Sequence, residues 1–137
     1  MDKNDLSIYL PSDTSDIRRN GIEVHYLGYY LKWHPQGAYY YSVEHGDFVP
    51  SPERTQGTYS KYNSLDDKID DFFYYTTYIK YGLGRCTYDA AQEIRNDELT
   101  REEAVAPCHT FDRTFPTRFA HVIWHYLRLP QTPLPAA

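Results

Sequence analysis

Cysteine is scarce in this chain, which has Cys86 and Cys108 among its 137 residues. Two cysteines are too few for a disulfide framework in a chain of this length, and neither lies in a CxxC pair. No apolar run approaches the ~20 residues that a membrane-spanning helix needs. The N-terminal residues MDKNDLSIYL lack the basic and apolar sections of a secretory signal. We therefore expect reduced thiols, no membrane span and a cytoplasmic protein.

Positive charge is also limited, since 14 Lys and Arg residues accompany 19 Asp and Glu residues and give a formal net charge of -5. Sequence-independent binding of nucleic acid draws mainly on Lys and Arg contacts to phosphates, so nucleic acid is not an expected partner. The sequence contains no GxGxxG, GxxxxGKS/T, GxSxG or HExxH motif. The usual self-contained catalytic signatures are therefore absent.

Tyrosine is abundant instead, with 15 residues that include the runs Tyr39-Tyr40-Tyr41 and Tyr74-Tyr75. Tyrosine rings supply large contact areas, and their hydroxyl groups need hydrogen-bond partners. Such surfaces suit sugars or partner proteins. The alternative is that these side chains are half-buried at the margin of a helical core, and composition alone does not choose between the two.

The strongest helix signals lie between Ser60 and Glu103. Ser64 is suited to cap a helix, because two carboxylates follow in its first turn and apolar residues then recur at helical spacing. Gly82 and Gly84 bracket the end of this helix and permit a left-handed residue there. The chain is expected to double back at these glycines.

A second helix is predicted over the segment TYDAAQEIRND, which the chain enters through Arg85. It places Asp89 and Glu93 four residues apart on one face, with Arg85 one turn before them. Thr100 and Glu103 then have the spacing of a capping box. That spacing predicts the start of a third helix.

Upstream of these helices, residues 12–20 are predicted to form a short surface helix. Alternation of apolar and polar residues then predicts a strand over residues 24–31, at the edge of a parallel sheet. Lys32 and Trp33 follow the carboxyl end of this strand. Ligands bind at such ends in α/β sheets, so both are candidate binding residues.

Pro35 begins a further predicted helix, which Gly46 ends, and a long loop follows over residues 47–63. Long loops of this kind are often functional. This one offers a guanidinium group, hydroxyl groups and backbone N–H groups to an anionic or sugar ligand, from Arg54, Thr55, Thr58 and Tyr59. The alternative is an irregular connector without a binding role.

Signals weaken towards the C-terminus, where Pro107 is expected to stop or kink the third helix. A final helix is predicted from Pro116 to Leu127. His121 and His125 have a spacing on it that can chelate a metal, but no carboxylate or thiolate is placed to complete the site, so a packed or solvated helix face is favoured. Residues 1–129 are predicted to form a single domain, and the Pro-rich residues 130–137 a disordered tail.

A family resemblance is carried by the runs YLGYYLKWHPQGAYYYSVEHGDF and ERTQGTYSKYNSLDDKIDDFFYYTTYIKYGLGRCTYDAAQEIRNDELTREEA. Roughly residues 8–106 resemble the C-terminal part of the N-acetyl sugar amidotransferases of bacterial lipopolysaccharide and O-antigen biosynthesis. This family is similar to the PP-loop ATP pyrophosphatases. The resemblance implies a mainly α structure with one or two short strands, as the C-terminal portion of an α/β adenine-nucleotide α-hydrolase-like fold.

The resemblance also implies a reaction, in which ATP activates an amide oxygen so that ammonia displaces AMP. The acceptor would be the acetamido group of a nucleotide-linked N-acetyl sugar, which becomes an acetamidino group. A separate glutaminase subunit would supply the ammonia. The family's phosphate-binding SGGxDS loop and N-terminal cysteine motifs lie upstream of the matched region, and this sequence contains neither.

We therefore expect a truncated or split gene product that binds no cofactor itself, with ATP and Mg belonging to the full-length family. Its expected partners are a nucleotide-binding N-terminal half, the glutaminase subunit and the sugar nucleotide. Without that half the chain is expected to be inactive, and the sequence leaves open whether this chain counts as an enzyme. The alternative is a non-catalytic remnant or a partner-binding module.

The predicted substrate-binding residues are Lys32, Trp33, Arg54, Thr55, Thr58, Tyr59, Lys80, Arg85, Asp89, Glu93 and Arg95. No catalytic residue or metal ligand is assigned. Arg85 has two interpretations. It forms either an exposed i,i+4 pair with Asp89 that contributes ~0.3–0.5 kcal/mol, or a clamp for the phosphate of a nucleotide sugar.

Overall fold

The computed structural model describes Leu6 and residues 9–130, and these residues contain helices but no β-strand. Contacts divide the chain into two compact units, the first ending at Trp33 and the second beginning at His34. The helices are α1 (Thr14–Arg19), α2 (Leu27–Tyr30), α3 (Pro35–His45), α4 (Asp70–Tyr81), α5 (Arg85–Arg95), α6 (Arg101–Phe111) and α7 (Ala120–Leu127). The prediction of a mainly α structure is confirmed. None of the described helices has the length and apolar character needed to cross a bilayer.

The first unit contains α1 and α2. The Asp13 carboxylate accepts a hydrogen bond from the Ser15 backbone N–H at 2.7 Å and begins α1, so the helix predicted over residues 12–20 is confirmed. The strand predicted over residues 24–31 is wrong, because α2 occupies part of that segment. Alternating residues form a strand when a neighbouring strand pairs with them, whereas here the side chains of residues 22–31 are exposed. The Leu31 N–H instead bonds the Leu27 carbonyl at 3.0 Å.

The second unit begins with α3, whose start and end agree with the prediction. Pro35 occupies the first turn, the His34 imidazole accepts a hydrogen bond from the Gly37 N–H at 3.2 Å, and Gly46 follows the last helical residue. The long loop predicted after α3 is also confirmed, and it extends to Ile69. The loop is not loosely held, because Thr55, Thr58 and several neighbours are buried.

The predicted cap at Ser64 is wrong, since α4 begins six residues later at Asp70. Ser64 has a positive φ of 53°, and its hydroxyl group pairs with the Tyr74 hydroxyl instead of a backbone N–H. The Asp67 carboxylate accepts a hydrogen bond from the Ile69 N–H at 2.8 Å just before the helix. The chain therefore continues as an ordered loop over residues that helix propensity alone assigns to a helix.

The turn from α4 into α5 follows the prediction and adds a tight contact with α6. Gly82 ends α4 with a φ of 70°, a conformation that glycine adopts without steric cost. Gly84 caps α5, and a Cβ atom there would lie 2.0 Å from an Asp112 carboxylate oxygen. The same carboxylate accepts hydrogen bonds from the Thr87 N–H at 3.2 Å and the Thr87 hydroxyl at 2.5 Å. Asp112 thus caps α5 from the end of another helix.

Helix α6 begins with the predicted capping box. The Thr100 N–H donates to the Glu103 carboxylate at 2.9 Å, and the Glu103 N–H donates to the Thr100 hydroxyl at 3.3 Å. Pro107 was expected to stop or kink this helix; a stop is wrong, because α6 continues to Phe111, and a kink at Pro107 stays a prediction. A proline removes one backbone hydrogen bond, and packing of α6 on α5 offsets that loss.

The apolar core of the second unit is small. Its buried apolar side chains are Tyr75, Cys86, Ala90, Ala104, Ala120 and Ile123. Helix α7 starts at Ala120, four residues later than predicted, and a buried ion pair between Arg118 and Asp71 at 2.9 Å lies just before it. Of the predicted tail, residues 131–137 lie outside the described part of the chain.

Candidate functional site

The loop before α4 is fixed to the N-terminal end of α5 by hydrogen bonds. The Cys86 N–H, one of the first amide groups of α5, donates to the Gly57 carbonyl at 3.0 Å. The loop also folds on itself, because the Thr55 hydroxyl donates to the Asn63 carbonyl at 2.7 Å and the Thr55 N–H donates to the Ser60 carbonyl at 2.9 Å. These bonds hold residues 55–63 in one arrangement beside the helix.

Asp89 is the centre of this contact. Its side chain is 9% exposed and accepts three hydrogen bonds, from Thr58 Oγ1 at 2.6 Å, Asn63 Nδ2 at 3.1 Å and Arg85 Nε at 2.8 Å. Burial raises the pKa of the Asp89 carboxyl, although Thr58 and Arg85 act in the opposite direction. The sequence predicted all of these residues except Asn63 as site residues, and the structure brings them together.

The Arg85–Asp89 pair is partly buried, which differs from the exposed pair that was one interpretation. Arg85 Nη1 also donates to the Tyr74 hydroxyl at 3.2 Å, and the guanidinium lies 5.0 Å and 5.2 Å from the ring centres of Tyr74 and Tyr88. Its side chain is 21% exposed. Two of its three nitrogen atoms are thus engaged within the chain, and Nη2 makes no hydrogen bond to a described residue.

On the other side of the loop lies an open pocket of about 490 Å³, lined by residues of α3, the loop and α5. One wall is aromatic, because the Tyr39 and Tyr62 rings stack 4.4 Å apart at an interplanar angle of 17°. The Tyr62 hydroxyl donates to the Gln36 side chain at 2.7 Å and fixes the ring. Burial, followed by the charge of Asp89, raises the pKa of Tyr62 to about 12, so this hydroxyl stays protonated.

Tyr59 and Glu93 supply the polar groups of the same pocket. The Tyr59 hydroxyl is buried and makes no hydrogen bond of good geometry to a described residue. Burial raises the pKa of Tyr59, and the nearby Glu93 carboxylate raises it further. Burial also raises the pKa of Glu93, although the Tyr59 hydroxyl opposes this effect. Tyr59 and Glu93 thus offer a donor and an acceptor side by side on the lining of the pocket.

The sequence itself was compared with known proteins. A family described as LPS biosynthesis protein WbpG-like, C-terminal domain, matches residues 56–135, which is more than half of the chain. The chain belongs to this family. The family is one of lipopolysaccharide biosynthesis, as the sequence resemblance implied. A comparison with curated proteins gave no match.

The region matched to the WbpG-like C-terminal domain contains most of the site. It covers Thr58, Tyr59, Arg85, Asp89 and Glu93, all of which lie on the two sides of the loop–α5 contact. The stacked Tyr39 lies before the matched region, on α3. The pocket is therefore built from the family domain and from one helix that precedes it in the sequence.

The remaining predicted residues lie outside this arrangement. Arg54 stacks 4.6 Å above the Phe111 ring and donates to the Thr55 and Thr58 carbonyls at 3.4 Å and 3.3 Å, so it supports the loop. Lys80 and Arg95 are exposed near the ends of α4 and α5. Lys32 and Trp33 are exposed and belong to the first unit, so their part in binding stays a prediction.

Several residues of the candidate site were not predicted. Asn63 and Gln36 orient Asp89 and Tyr62, and no local pattern marks them. Asp112 was given no role by the sequence, although it caps α5. Among the described residues, no cluster of three His, Cys, Asp or Glu side chains is placed to hold a metal ion.

Proposed function

We propose that this chain supplies the acceptor-sugar contacts of a cytoplasmic N-acetyl sugar amidotransferase, in the pocket that contains Tyr59 and Glu93. The observation that carries the proposal is the Tyr59 hydroxyl, which lies beside Glu93 without a hydrogen bond of good geometry to a described residue, on a side chain that lines an open aromatic pocket. A sugar hydroxyl or acetamido oxygen can satisfy it, and the Glu93 carboxylate can accept a hydrogen bond from a sugar hydroxyl or acetamido N–H. The Tyr39–Tyr62 wall offers an apolar surface to one face of the ring.

The reaction that the family resemblance implies converts the acetamido group to an acetamidino group, with ammonia from a glutaminase subunit. ATP would activate the amide oxygen. The described residues of this chain do not fit a nucleotide triphosphate site, because Arg85 is engaged by Asp89 and Tyr74 while Lys80 and Arg95 lie apart on the surface. The proposal therefore assigns ATP binding to the nucleotide-binding half of a PP-loop fold. This chain would work together with that half and would be inactive without it.

A substitution of Tyr59 tests the pocket directly. Tyr59→Phe removes a buried hydroxyl that contacts Glu93 without a hydrogen bond of good geometry, so the free energy of unfolding should change by no more than about 1 kcal/mol. Binding of UDP-N-acetylglucosamine should weaken about tenfold, because the same hydroxyl gains its partner from the ligand. Calorimetry measures the binding and urea unfolding the stability. Tyr126→Phe is the matched control, since Tyr126 is 76% exposed.

The outcomes separate the proposal from a structural role for Tyr59. Weaker binding with unchanged or higher stability supports the acceptor site. Equal binding by Tyr59→Phe and the unsubstituted chain refutes it.

The proposed reaction can be tested in a mixture that contains the nucleotide-binding half, the glutaminase, ATP and glutamine. Mass spectrometry should detect the acetamidino sugar, and Glu93→Gln should slow its formation while Glu102→Gln does not. Activity without the nucleotide-binding half would contradict the assignment of ATP to that half.

A second candidate function, a partner-binding module, is favoured by the apolar surface at the α4–α5 turn. Phe73, Leu83 and Tyr88 are each more than half exposed and line one open apolar pocket between these helices. Exposed apolar patches often mark protein interfaces. Sedimentation of the chain alone and with the nucleotide-binding half should show association that Phe73→Ser weakens, whereas Val49→Ser, a control at an 80% exposed loop residue, should leave it unchanged.

A further inference from the structure

Helices α5 and α6 pack against each other and leave a groove between them with a volume of about 420 Å³. This groove shares no lining residue with the Tyr59–Glu93 pocket. Its volume lies in the range of roughly 300–1,000 Å³ that is usual for small-molecule sites. The groove is therefore large enough for a ligand and is separate from the proposed acceptor site.

The floor of the groove is apolar. Ala90, Ala91 and Ile94 of α5 face Ala104 and Val105 of α6 across it. Alanine side chains are too short to fill the space between the helices, so a concave apolar surface remains in contact with solvent. Such a surface favours a ligand with an apolar body.

The rim of the groove is basic, although the chain as a whole has a net charge of -5. Arg101, His109 and Arg113 line it, and all three are exposed. None of the three forms an ion pair or a side-chain hydrogen bond with a described residue. The acidic residue among the described lining residues is Asp112, which is buried and already accepts two hydrogen bonds from Thr87.

We propose that the α5–α6 groove binds a small organic anion with an apolar body, such as an aryl or acyl carboxylate, sulfonate or phosphate. The apolar floor would cover the body of the ligand, and Arg101 and Arg113 would hold its charged group from the rim. A neutral apolar ligand would leave the arginines unused. An inorganic anion would leave the floor uncovered.

Cys108 provides a reporter inside the groove. It lines the groove and is partly exposed, whereas Cys86 is 0% exposed. The anionic aromatic disulfide 5,5′-dithiobis(2-nitrobenzoate) forms a mixed disulfide with an accessible thiolate and releases one nitrothiobenzoate anion, which absorbs visible light. The neutral reagent 4,4′-dithiodipyridine performs the same exchange without charge. The ratio of the two rates therefore measures how strongly the groove attracts an anion.

The proposal predicts a charge-dependent ratio. Arg101→Gln and Arg113→Gln should each lower the rate with the anionic reagent by roughly threefold, as expected for unit charges several ångström apart in water, and leave the rate with the neutral reagent unchanged. Added salt should have the same effect as the substitutions. Arg95→Gln is the control, because Arg95 is an exposed arginine of α5 outside the lining. Cys108→Ser should abolish the reaction.

Occupancy of the groove gives a second readout. The anionic probe 8-anilinonaphthalene-1-sulfonate should protect Cys108 from both reagents with one saturable binding constant, and its neutral analogue N-phenyl-1-naphthylamine should protect less. In amide NMR spectra the probe should shift residues 87–94 and 101–113. A ratio of the two rates that is unchanged in Arg101→Gln and Arg113→Gln, a reaction that survives in Cys108→Ser, or shifts confined to other helices would overturn the proposal. Protection that does not saturate would also overturn it.

Discussion

Removal of the Asp89 carboxylate tests whether the loop of the candidate site depends on α5. In Asp89→Ala, the Thr58 hydroxyl, which is 0% exposed, loses its acceptor. A buried hydroxyl without a partner costs about 1–3 kcal/mol. The Arg85 side chain also loses its partner, but it is 21% exposed and can reach water, so its share is about 1 kcal/mol or less.

A second effect makes the loss in free energy of unfolding of Asp89→Ala smaller. Burial raises the pKa of Asp89, which means that the folded chain holds this carboxylate at some cost, and alanine removes that cost. The expected loss in free energy of unfolding is therefore about 1–3 kcal/mol. Asp89→Asn keeps an acceptor of the same shape without the charge and should lose about half as much.

Urea unfolding followed by circular dichroism measures these differences, provided that the slope with denaturant is the same in all variants. Glu102→Ala is the control, because Glu102 is exposed on α6 and its loss should stay within about 0.5 kcal/mol. A loss below about 1 kcal/mol for Asp89→Ala would refute the reasoning. It would mean that Asp89 does not hold the loop against α5.

Three further outcomes are expected. Burial raises the pKa of Glu93 above its ordinary value of 4.5. The stability that this carboxyl contributes is therefore complete below about pH 4.5 and is lost as the pH rises through the folded-state pKa. The urea midpoint should accordingly rise from pH 7 towards pH 5, and Glu93→Gln should make that change smaller. Gly84→Ala should lower the free energy of unfolding by about 1–3 kcal/mol, because its Cβ would meet the Asp112 carboxylate, whereas Gly28→Ala, with open space around it, should not destabilise the chain by calorimetric melting. In a reconstituted enzyme, Arg85→Lys should reduce acceptor turnover and also lower the melting temperature, because the lysine loses one of the two hydrogen bonds that Arg85 makes. Unchanged turnover would exclude a role of Arg85 as a phosphate clamp.

Elements whose signals lie within a few residues could be predicted from the sequence. The capping box of Thr100 and Glu103 is complete within one turn, and the left-handed Gly82 ends α4 through its own backbone. The i,i+4 spacing likewise placed Arg85 and Asp89 on one face of α5. In each case the partners are neighbours in the chain, so no knowledge of the tertiary structure is needed.

Elements that depend on distant partners could not be predicted in this way. Ser64 is a good helix cap by type, but the Tyr74 hydroxyl competes for it ten residues later. The alternating residues 24–31 need a strand partner that the described residues do not provide. Pro107 remains inside α6 because contacts with α5 outweigh the missing hydrogen bond.

The candidate site also combines residues that local patterns predict with contacts between distant parts of the chain. Thr58 and Tyr59 were predicted as loop residues with useful chemistry, and Asp89 and Glu93 as one face of a helix, but no local pattern indicates that the two sets meet. The Thr58–Asp89 hydrogen bond joins residues 31 positions apart. The Tyr39–Tyr62 wall is also a long-range contact. A surplus of tyrosine predicted an aromatic surface without indicating which rings would form it.

The hydrogen bonds of Arg85 favour a supporting role in the site over a direct clamp on phosphate. Its Nε donates to Asp89, which also accepts a hydrogen bond from Thr58, and its Nη1 donates to the Tyr74 hydroxyl. Movement of the guanidinium towards a ligand would break at least one of the two bonds that Arg85 donates. Tyr59 has less to exchange, because its hydroxyl contacts Glu93 without a hydrogen bond of good geometry. A ligand at Tyr59 would therefore replace one weak contact, whereas a ligand at Arg85 would break hydrogen bonds that are already formed. The acceptor site proposed above therefore rests on Tyr59 and Glu93, and the hydrogen bonds of Arg85 to Asp89 and Tyr74 favour a supporting role for Arg85 beside the loop that carries Tyr59.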